Sequence, residues 1–547
     1  MGVTPLTKWR KTPPALRSLG KGGLGVVCLL AGGALVVWQG AAIVEGLTHK
    51  GGLSLLNLAG FFGGLFGIGG ACDLLGPPRK PEAAKTTIAE SRFASRADIV
   101  AAGLAGQGKD DGGIYLGVFK DAEGELPLRW SGETHLLTYG KPGSHKTCGY
   151  IIPNLAERRG STIAFDPKRQ LFSITGRQRA RMGKVILVDP FGPHSDGWNP
   201  LSQLNENEDD FEDGAGCIAD AITDKSTGGE GNARFFDSSS ETLATTLIMW
   251  ERFKNGDKAS LSNLRAMVSA PDGSFLTALG EMGRCNNAAI RNVAGRLAQR
   301  LTDTNAHSTS AQDVIDTFMS NTRFLDNPAL ARDMDKGGAI DFGALHREVV
   351  SIFVVLPVEQ LEKQAKYLRM FLNLSLHELY KNPRPLDPPL PRILYILDEA
   401  SNLGALKQIP RALTIARDFG IQLWAFYHYV AQIKKHYPQD WEGFLVGSGV
   451  KTTFKTGDAD TPDLLVKLFG QKEELIPTLN PQGGISNTPN AIPLIRAEDI
   501  GRLLKGEAIS IIEPCPMPIK TFVPVYVDTP YAAGLDANPF YRAPRKT

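Results

Sequence analysis

The sequence predicts an α/β fold in which a mostly parallel sheet carries helices on both faces. From about residue 98 onward, short apolar runs rich in β-branched residues alternate with helical patterns, which is typical of parallel sheets. Between about 205 and 341 strand signals are few and helical patterns dominate, which predicts an inserted all-α domain. Two long uncharged runs near the N-terminus predict a transmembrane helical hairpin.

The composition is that of a globular protein. The 547-residue chain is 42% hydrophobic and 22% charged, which excludes an intrinsically disordered protein. A net charge of only +2 neither favours nor excludes a nucleic-acid partner, because a basic channel can be hidden in a balanced total. The six cysteines show no Cys-x-x-Cys spacing, so a metal centre or a disulfide framework is disfavoured.

The N-terminal segment predicts a two-pass membrane anchor. The uncharged runs Gly22 to Val44 and Gly51 to Cys72 are each long enough for a spanning helix of about 20 residues. Basic residues precede the first run and follow the second, which places both ends in the cytoplasm. A signal peptide followed by a buried apolar segment is the other interpretation, which the length of the first run disfavours. We therefore assign residues 1–21 to a basic cytoplasmic N-terminus, 22–72 to the hairpin and 73–97 to a linker.

Eight apolar runs beyond the linker are predicted strands of one sheet. They are HLLTYG (135–140), STIAFD (161–166), KVILVD (184–189), VVSIFVVLP (349–357), RILYILDE (392–399), IQLWAFY (421–427), VKTTFKT (450–456) and EAISII (507–512). The sheet domain is thus predicted in two parts, 98–204 and 342–530, around the all-α domain at 205–341. A C-terminal tail at 531–547 completes the predicted organisation.

A phosphate-binding loop is predicted directly after the first of these strands. In TYGKPGSHKTCG, Gly140 opens the pattern G-x-x-x-x-G-K-[ST], and Lys146 and Thr147 close it. His145 replaces the second glycine; histidine is among the few other residues enriched at positive φ, and its imidazole could lie near the phosphates. The predicted ATP-binding residues are Gly140, Lys141, Pro142, Gly143, Ser144, His145, Lys146, Thr147 and Cys148. A chance match is the other interpretation of the loop alone.

Paired acids at the end of another predicted strand supply the second part of the site. In RILYILDEASNLG, Asp398 and Glu399 follow a buried run. In a nucleotide hydrolase the first acid holds Mg²⁺ together with Thr147, and the second orients or deprotonates the attacking water. A polar helix cap is the other interpretation, which the upstream loop disfavours. Asp166, Lys168 and Asp189 lie near other strand ends, where they either frame the site or serve the structure.

An ordered series of motifs resembles the type IV secretion coupling proteins, the TraG/TraD-like membrane ATPases of bacterial conjugation. The series comprises IIPNL after the loop, FDPKRQLFSITGRQR, VDPFGPHSDGWNPL, VSIFVVLPVEQLEKQAKYLRMFLNLSL, LDEASNLGAL and IARDFGIQLWAFYHYVAQIKKHY. The resemblance implies a RecA-like P-loop NTPase domain with an inserted all-α domain. It places Lys146, Glu399, Arg417 and His428 in catalysis. Arg417 falls at the position of an arginine finger, and His428 replaces a glutamine that senses the γ-phosphate.

The function implied by the resemblance is that of an inner-membrane coupling ATPase with ATP and Mg²⁺ as cofactors. It would recruit a relaxase–DNA substrate and drive single-stranded DNA, bound largely without sequence specificity, into a type IV secretion channel. The implied partners are relaxosome proteins, inner-membrane channel components and further copies of the chain in a hexamer. The implied location is the bacterial inner membrane, with two spans and most of the chain in the cytoplasm.

Two other functions can be compared with the sequence, and the second of them remains open. A chromosome-segregating translocase of the FtsK type would carry a Pro/Gln-rich linker and a C-terminal winged helix, and neither pattern is present. A non-hydrolysing membrane docking receptor with a decayed ATP site is kept open by His145 and His428, because both departures fall at the predicted nucleotide. Arg417 also has a simpler interpretation, as an ordinary surface charge.

Overall fold

The computed structural model of the protein describes residues 91–540 apart from 107–112, 224–231, 271–272, 303–306, 383, 385–389, 407 and 480–484. The predicted membrane hairpin lies outside the described residues. Within these ranges, no helix combines the length and the apolar character that a membrane crossing needs. Residues from Glu90 onward cluster as one compact unit, in which sheet and helices belong together.

An eleven-stranded sheet organises this unit, in the order β2-β1-β13-β12-β9-β3-β8-β7-β4-β6-β5. The strands are β1 (Ile114–Asp121), β2 (Gly124–Trp130), β3 (His135–Tyr139), β4 (Thr162–Phe165), β5 (Lys184–Val188), β6 (Val350–Val354), β7 (Ile393–Leu397), β8 (Ile421–Tyr427), β9 (Ser448–Thr453), β10 (Gln471–Leu479), β11 (Ile485–Pro493), β12 (Glu507–Ile512) and β13 (Ile519–Phe522). The strands from β9 to β5 pair in parallel. The other four pair antiparallel, and β10 and β11 form a separate two-stranded ribbon.

The predicted parallel sheet is confirmed, and each of the eight predicted strands is present as β3–β9 or β12. The sequence did not reveal β1, β2 and β13 because none of them is a continuous apolar run. In β1, Gly117 adopts a φ of +88°, and a Cβ there would lie 2.8 Å from Phe522 O. Pro127 interrupts β2, and β13 is only four residues long.

Helices surround the sheet. In the sheet-forming part they are Arg96–Ala101, Ile152–Glu157, Gln170–Ala180, Ala344–Arg347, Val358–Leu361, Ala365–Lys381, Gln408–Ile415, Val430–His436, Trp441–Val446, Asp460–Phe469 and Ala497–Arg502. Between β5 and β6 they are Phe211–Ile222, Asn232–Asn255, Leu261–Ser269, Ser274–Met282, Ala288–Thr302, His307–Asn321 and Pro328–Lys336. The described residues of that stretch contain no strand, so the helical patterns of the sequence correspond to helices.

Two hydrophobic clusters lie on opposite faces of the sheet. Alternate side chains of β8 enter different clusters: Leu423 and Tyr427 join the cluster that continues into the helical stretch between β5 and β6. Trp424 and Phe426 join the cluster under Ile152–Glu157 and Gln170–Ala180. Because both faces are covered, the parallel strands are apolar along their whole length.

The chain after β13 packs back onto the sheet domain. The N–H of Asp536 donates to Ile174 O at 3.0 Å, and the Asp536 carboxylate pairs with Arg177 at 2.7 Å. The described part of the predicted tail therefore contacts the helix Gln170–Ala180.

Candidate nucleotide-binding site

The sheet order brings the ends of three strands together at one edge. Because β3, β8 and β7 are neighbours and parallel, the loops that follow them meet. Ligands of open α/β sheets bind at this carboxyl edge. The predicted phosphate loop follows β3, the paired acids follow β7, and His428 follows β8.

Backbone hydrogen bonds hold the loop after β3, and its first residue is a glycine at a point of close packing. Gly140 N donates to Tyr427 O at 3.1 Å, and Lys141 N donates to Lys455 O at 3.0 Å. A Cβ on Gly140 would lie 2.6 Å from Ser144 Oγ and 2.9 Å from Phe454 Cβ. Only glycine fits there, which explains the first residue of the motif in physical terms.

The side chain of Lys146 folds back into the phosphate-binding loop. Its side chain is buried, and Nζ donates to Gly140 O and, at 3.1 Å, to Lys141 O. Burial lowers the pKa of Lys146 to about 8. The amine is thus held by carbonyls at the position where a phosphate loop presents its charge.

His145 adopts the conformation that usually requires glycine, with a φ of +75°. Its imidazole does not lie in the loop: Nδ1 is 3.0 Å from Val523 O, just beyond β13. Gly506 makes room for the ring, because a Cβ there would lie 3.1 Å from His145 Nδ1. The ring is therefore directed to Val523, and it ties the loop to the antiparallel part of the sheet.

We expect His145→Gly to lower the stability of the protein less than His145→Ala does. Both His145→Ala and His145→Gly lose the bond to Val523, a loss of about 1 kcal/mol. Alanine also keeps the left-handed backbone, which costs about 1–2 kcal/mol more than glycine there. We therefore expect His145→Ala to have the lower thermal unfolding midpoint in paired melts of the full chain. Equal midpoints would contradict the proposed backbone strain at this position.

The paired acids after β7 lie beside the loop. Thr147 Oγ1 donates to Asp398 Oδ2 at 3.1 Å. Desolvation and then the neighbouring Glu399 raise the pKa of Asp398 to about 6. Desolvation also acts on Glu399, but Lys168, whose Nζ is 2.7 Å from Glu399 Oε1, lowers the pKa of Glu399 overall. Asn402 Nδ2 donates to the other carboxylate oxygen at 3.0 Å.

The oxygens of Thr147 and Asp398 suit a magnesium ion. Mg²⁺ prefers hard oxygen ligands and keeps several waters while it binds one or two protein groups and substrate phosphates. A hydroxyl and a carboxylate 3.1 Å apart, next to the loop, match that requirement. These two residues are therefore the ones that would hold the ion.

Asp166, Lys168 and Asp189, the other polar residues near the strand ends, differ in their contacts. Lys168 belongs to the site through Glu399. Asp166 accepts the N–H groups of Gln170 and Phe172 at 2.9 and 3.0 Å, and so caps a helix. Asp189 pairs with Arg169 at 2.9 Å. Two of the three are therefore explained by structural contacts.

His428 stands between the loop and the helix that follows β8. Its Nδ1 is 3.1 Å from Gly140 O and 3.4 Å from Lys146 Nζ. Desolvation lowers the pKa of His428. The backbone N–H of His428 donates to Gln432 Oε1 at 2.7 Å, and Gln432 Nε2 donates to Ser401 Oγ at 3.2 Å. Sequence reasoning missed Gln432, which links the end of β8 to the turn after Glu399.

Arg417 lies at the opposite edge of the sheet from the other predicted site residues. It occupies the turn Ala416–Phe419 before β8, and its side chain is 51% exposed. The seven residues of β8 span about 20 Å between this turn and His428. The structure therefore brings Lys146, Thr147, Asp398, Glu399 and His428 together, and it separates Arg417 from them.

A family model identifies the wider group to which this arrangement belongs. The model described as "Type IV secretory system Conjugative DNA transfer" matches residues 82–520. The chain belongs to this family. The predicted resemblance to coupling proteins is thereby confirmed.

Individual relatives are distant but extensive. The chain is 24% identical to the conjugal transfer protein TraG of Escherichia coli over 70% of its own length and 64% of that protein. It thus spans less than two thirds of that relative. It is 23% identical to TraG of Rhizobium radiobacter over 82% of this chain and 75% of the relative.

Solved structures of the coupling protein TrwB share the fold. TrwB in complex with the non-hydrolysable ATP analogue ADPNP superimposes with a TM-score of 0.58 at 14% identity, over 80% of this chain and 93% of TrwB. TrwB in complex with ADP and Mg²⁺ gives a TM-score of 0.57 at 13% identity, over 80% and 94% of the two chains. At this identity the likeness establishes the architecture of the family member described here, a mostly parallel α/β sheet.

Two of the shifted pKa values at the site, those of Asp398 and Lys146, predict a bell-shaped pH dependence of nucleotide binding. Asp398, with a pKa of about 6, must lose its proton to bind a metal ion. Lys146, with a pKa of about 8, must keep its proton to bind phosphate. Magnesium-dependent affinity for a fluorescent ATP analogue should therefore fall below about pH 6 and above about pH 8. Lys146→Arg should flatten the alkaline limb, since guanidinium stays charged; an unchanged alkaline limb would contradict the role of Lys146.

Proposed function

We propose that this protein is an inner-membrane coupling ATPase, which uses ATP hydrolysis to move DNA with its attached protein into a type IV secretion channel. The observation that carries the proposal is the meeting of Lys146, Thr147, Asp398 and Glu399 at adjoining strand ends. Family membership supports the DNA-transfer part. The complexes of TrwB with ADPNP and with ADP and Mg²⁺ support the choice of nucleotide.

The residues of the site divide the chemistry among them. The loop N–H groups and Lys146 bind the phosphates, and the amine exchanges its carbonyl partners for phosphate oxygens. Thr147 and Asp398 would hold Mg²⁺, which when bound supplies positive charge at the phosphates. Glu399 orients the attacking water and accepts its proton, because Lys168 keeps the carboxylate ionised. The water oxygen bonds to the γ-phosphorus, the bond to the bridging oxygen breaks, and ADP and phosphate leave.

Arg417 completes the site of a neighbouring chain in this proposal. It cannot reach its own site across the length of β8, whereas an exposed guanidinium can enter a site presented by another copy. Such a residue neutralises the charge that develops on the transferred phosphoryl group. We therefore propose a homo-oligomeric ring, a hexamer, with single-stranded DNA in its pore and two N-terminal membrane spans. Relaxosome proteins and inner-membrane channel components are the proposed partners.

A docking receptor that does not hydrolyse ATP is the second candidate. His145 and His428, which occupy glycine and glutamine positions of the family motif, are the observations that favour it. Against it, the imidazole of His145 points to Val523 and leaves the loop interior to Lys146.

The deciding experiment is phosphate release by the full-length chain in detergent or lipid nanodiscs, with and without single-stranded DNA. Turnover that DNA stimulates supports the motor. An assembled chain that binds DNA or relaxase but shows no turnover between pH 6 and pH 9 supports the receptor; this range extends about one unit above the pKa of Lys146, about 8.

A further inference from the structure

Four arginines at the amino edge of the parallel sheet form a series in which each of the first three guanidinium groups binds the backbone carbonyl of the next arginine. Arg179 donates to Arg158 O, Arg158 donates to Arg392 O, and Arg392 donates to Arg417 O. The four residues belong to four different elements or connections of the chain. We call them the arginine series.

The arginine series runs from the core to the surface. Arg179 and Arg158 are 0% and 3% exposed, the Arg392 side chain is 15% exposed and the Arg417 side chain is 51% exposed. Burial lowers the pKa of Arg158 to about 9 and that of Arg179 to about 10. Buried guanidinium groups are costly unless they are fully hydrogen-bonded, so these carbonyl contacts fix the backbone firmly.

The Arg392 guanidinium makes two contacts. One nitrogen donates to Arg417 O, and another lies 2.6 Å from Glu133 Oε1. Arg417 O also accepts the N–H of Gly420, at 3.0 Å, where the chain turns into β8 with a φ of +73°. The backbone of the turn Ala416–Phe419 is therefore held in place while the Arg417 side chain extends into solvent.

We propose that Arg392 is a positioning residue, which aims Arg417 at the nucleotide of a neighbouring chain. The inference rests on the proposed function, because it concerns a residue that acts in another copy. Arg392 itself does not touch the nucleotide in this proposal. It sets the turn from which Arg417 projects, and Glu133 in turn holds Arg392.

The first test compares Arg392→Gln with Arg347→Gln in the full-length chain. Arg347 is the control: it precedes β6 at the same end of the parallel sheet and pairs with Asp341 at 2.6 Å, and its side chain, 54% exposed, is more exposed than that of Arg392. A misplaced catalytic group costs about a hundredfold in rate, so we expect kcat to fall about tenfold to hundredfold in Arg392→Gln. The Kd for a fluorescent ATP analogue should stay within about twofold, since the chain's own phosphate loop is intact. Equal kcat in the two variants would overturn the proposal.

A mixing experiment separates positioning from misfolding. Chains with Arg392→Gln keep an intact loop, and chains with Lys146→Ala keep an intact Arg417. Mixed assemblies should turn over ATP faster than either variant alone, because each supplies what the other lacks. Absence of this recovery would overturn the proposal. Glu133→Gln, at a side chain that is 66% exposed, should lower kcat in the same direction by a smaller factor without disturbing the fold.

The outcomes distinguish this inference from the proposed function. Wild-type chains without turnover, or Arg417→Ala with normal turnover, would refute the proposed arginine finger itself. Active wild type with a slow Arg417→Ala and a normal Arg392→Gln would refute the positioning role alone.

Discussion

Replacing Lys146 by alanine is expected to abolish ATP turnover. The amine is the cation at the centre of the loop, where Gly140 and Lys141 carbonyls now hold it. Removal of one preorganised electrostatic contact costs about a hundredfold to a thousandfold in kcat, and loss of phosphate affinity adds to this. Phosphate release by the full-length chain measures the effect.

The matched control is Lys184→Ala, which removes an exposed lysine at the start of β5, away from the site. It should leave turnover near the wild-type rate. Turnover by Lys146→Ala within about tenfold of wild type would mean that phosphate is bound elsewhere, because loss of a phosphate-binding lysine should lower kcat by more than that.

Replacing Glu399 by glutamine should separate hydrolysis from binding. Loss of a general base costs about a hundredfold to ten-thousandfold in rate, whereas Lys146, Thr147 and Asp398 remain to hold the nucleotide. We expect kcat to fall by that factor while the Kd for an ATP analogue changes little. Single-turnover phosphate release and fluorescence titration of the same preparation measure the two quantities.

Lys168→Gln is the companion variant for Glu399. Lys168 lowers the pKa of the Glu399 carboxyl, so its removal should raise that pKa. The acid limb of the kcat profile should then move to higher pH, while Glu399→Gln should keep only the acid limb that Asp398 sets. An undiminished kcat in Glu399→Gln would exclude this carboxylate as the base.

The parallel strands were predictable because a strand buried on both faces of the sheet has a continuous apolar sequence. The runs of β3, β7 and β8 carry that pattern and appear at the predicted places. The antiparallel strands do not: Gly117 and Pro127 interrupt β1 and β2. Their pairing depends on partners distant in the chain, such as Val118 with Phe522, which a local pattern cannot encode.

The sequence predicted which residues form the site better than it predicted which contacts their side chains make. Motif spacing selected Lys146, Thr147, Asp398 and Glu399, which the fold brings together. The direction of His145 was not predictable, because Val523, which holds its ring, comes much later in the sequence. Gln432 was missed for a related reason, since its contact with Ser401 exists only once β7 and β8 are neighbours.

The length of β8 has a consequence for how the activity should scale. With Lys146 at one end of the sheet and Arg417 at the other, a solitary chain of the proposed ring would hold one group for each of two ATP sites and complete neither. Specific activity should therefore rise steeply with protein concentration and vanish on dilution below the assembly threshold.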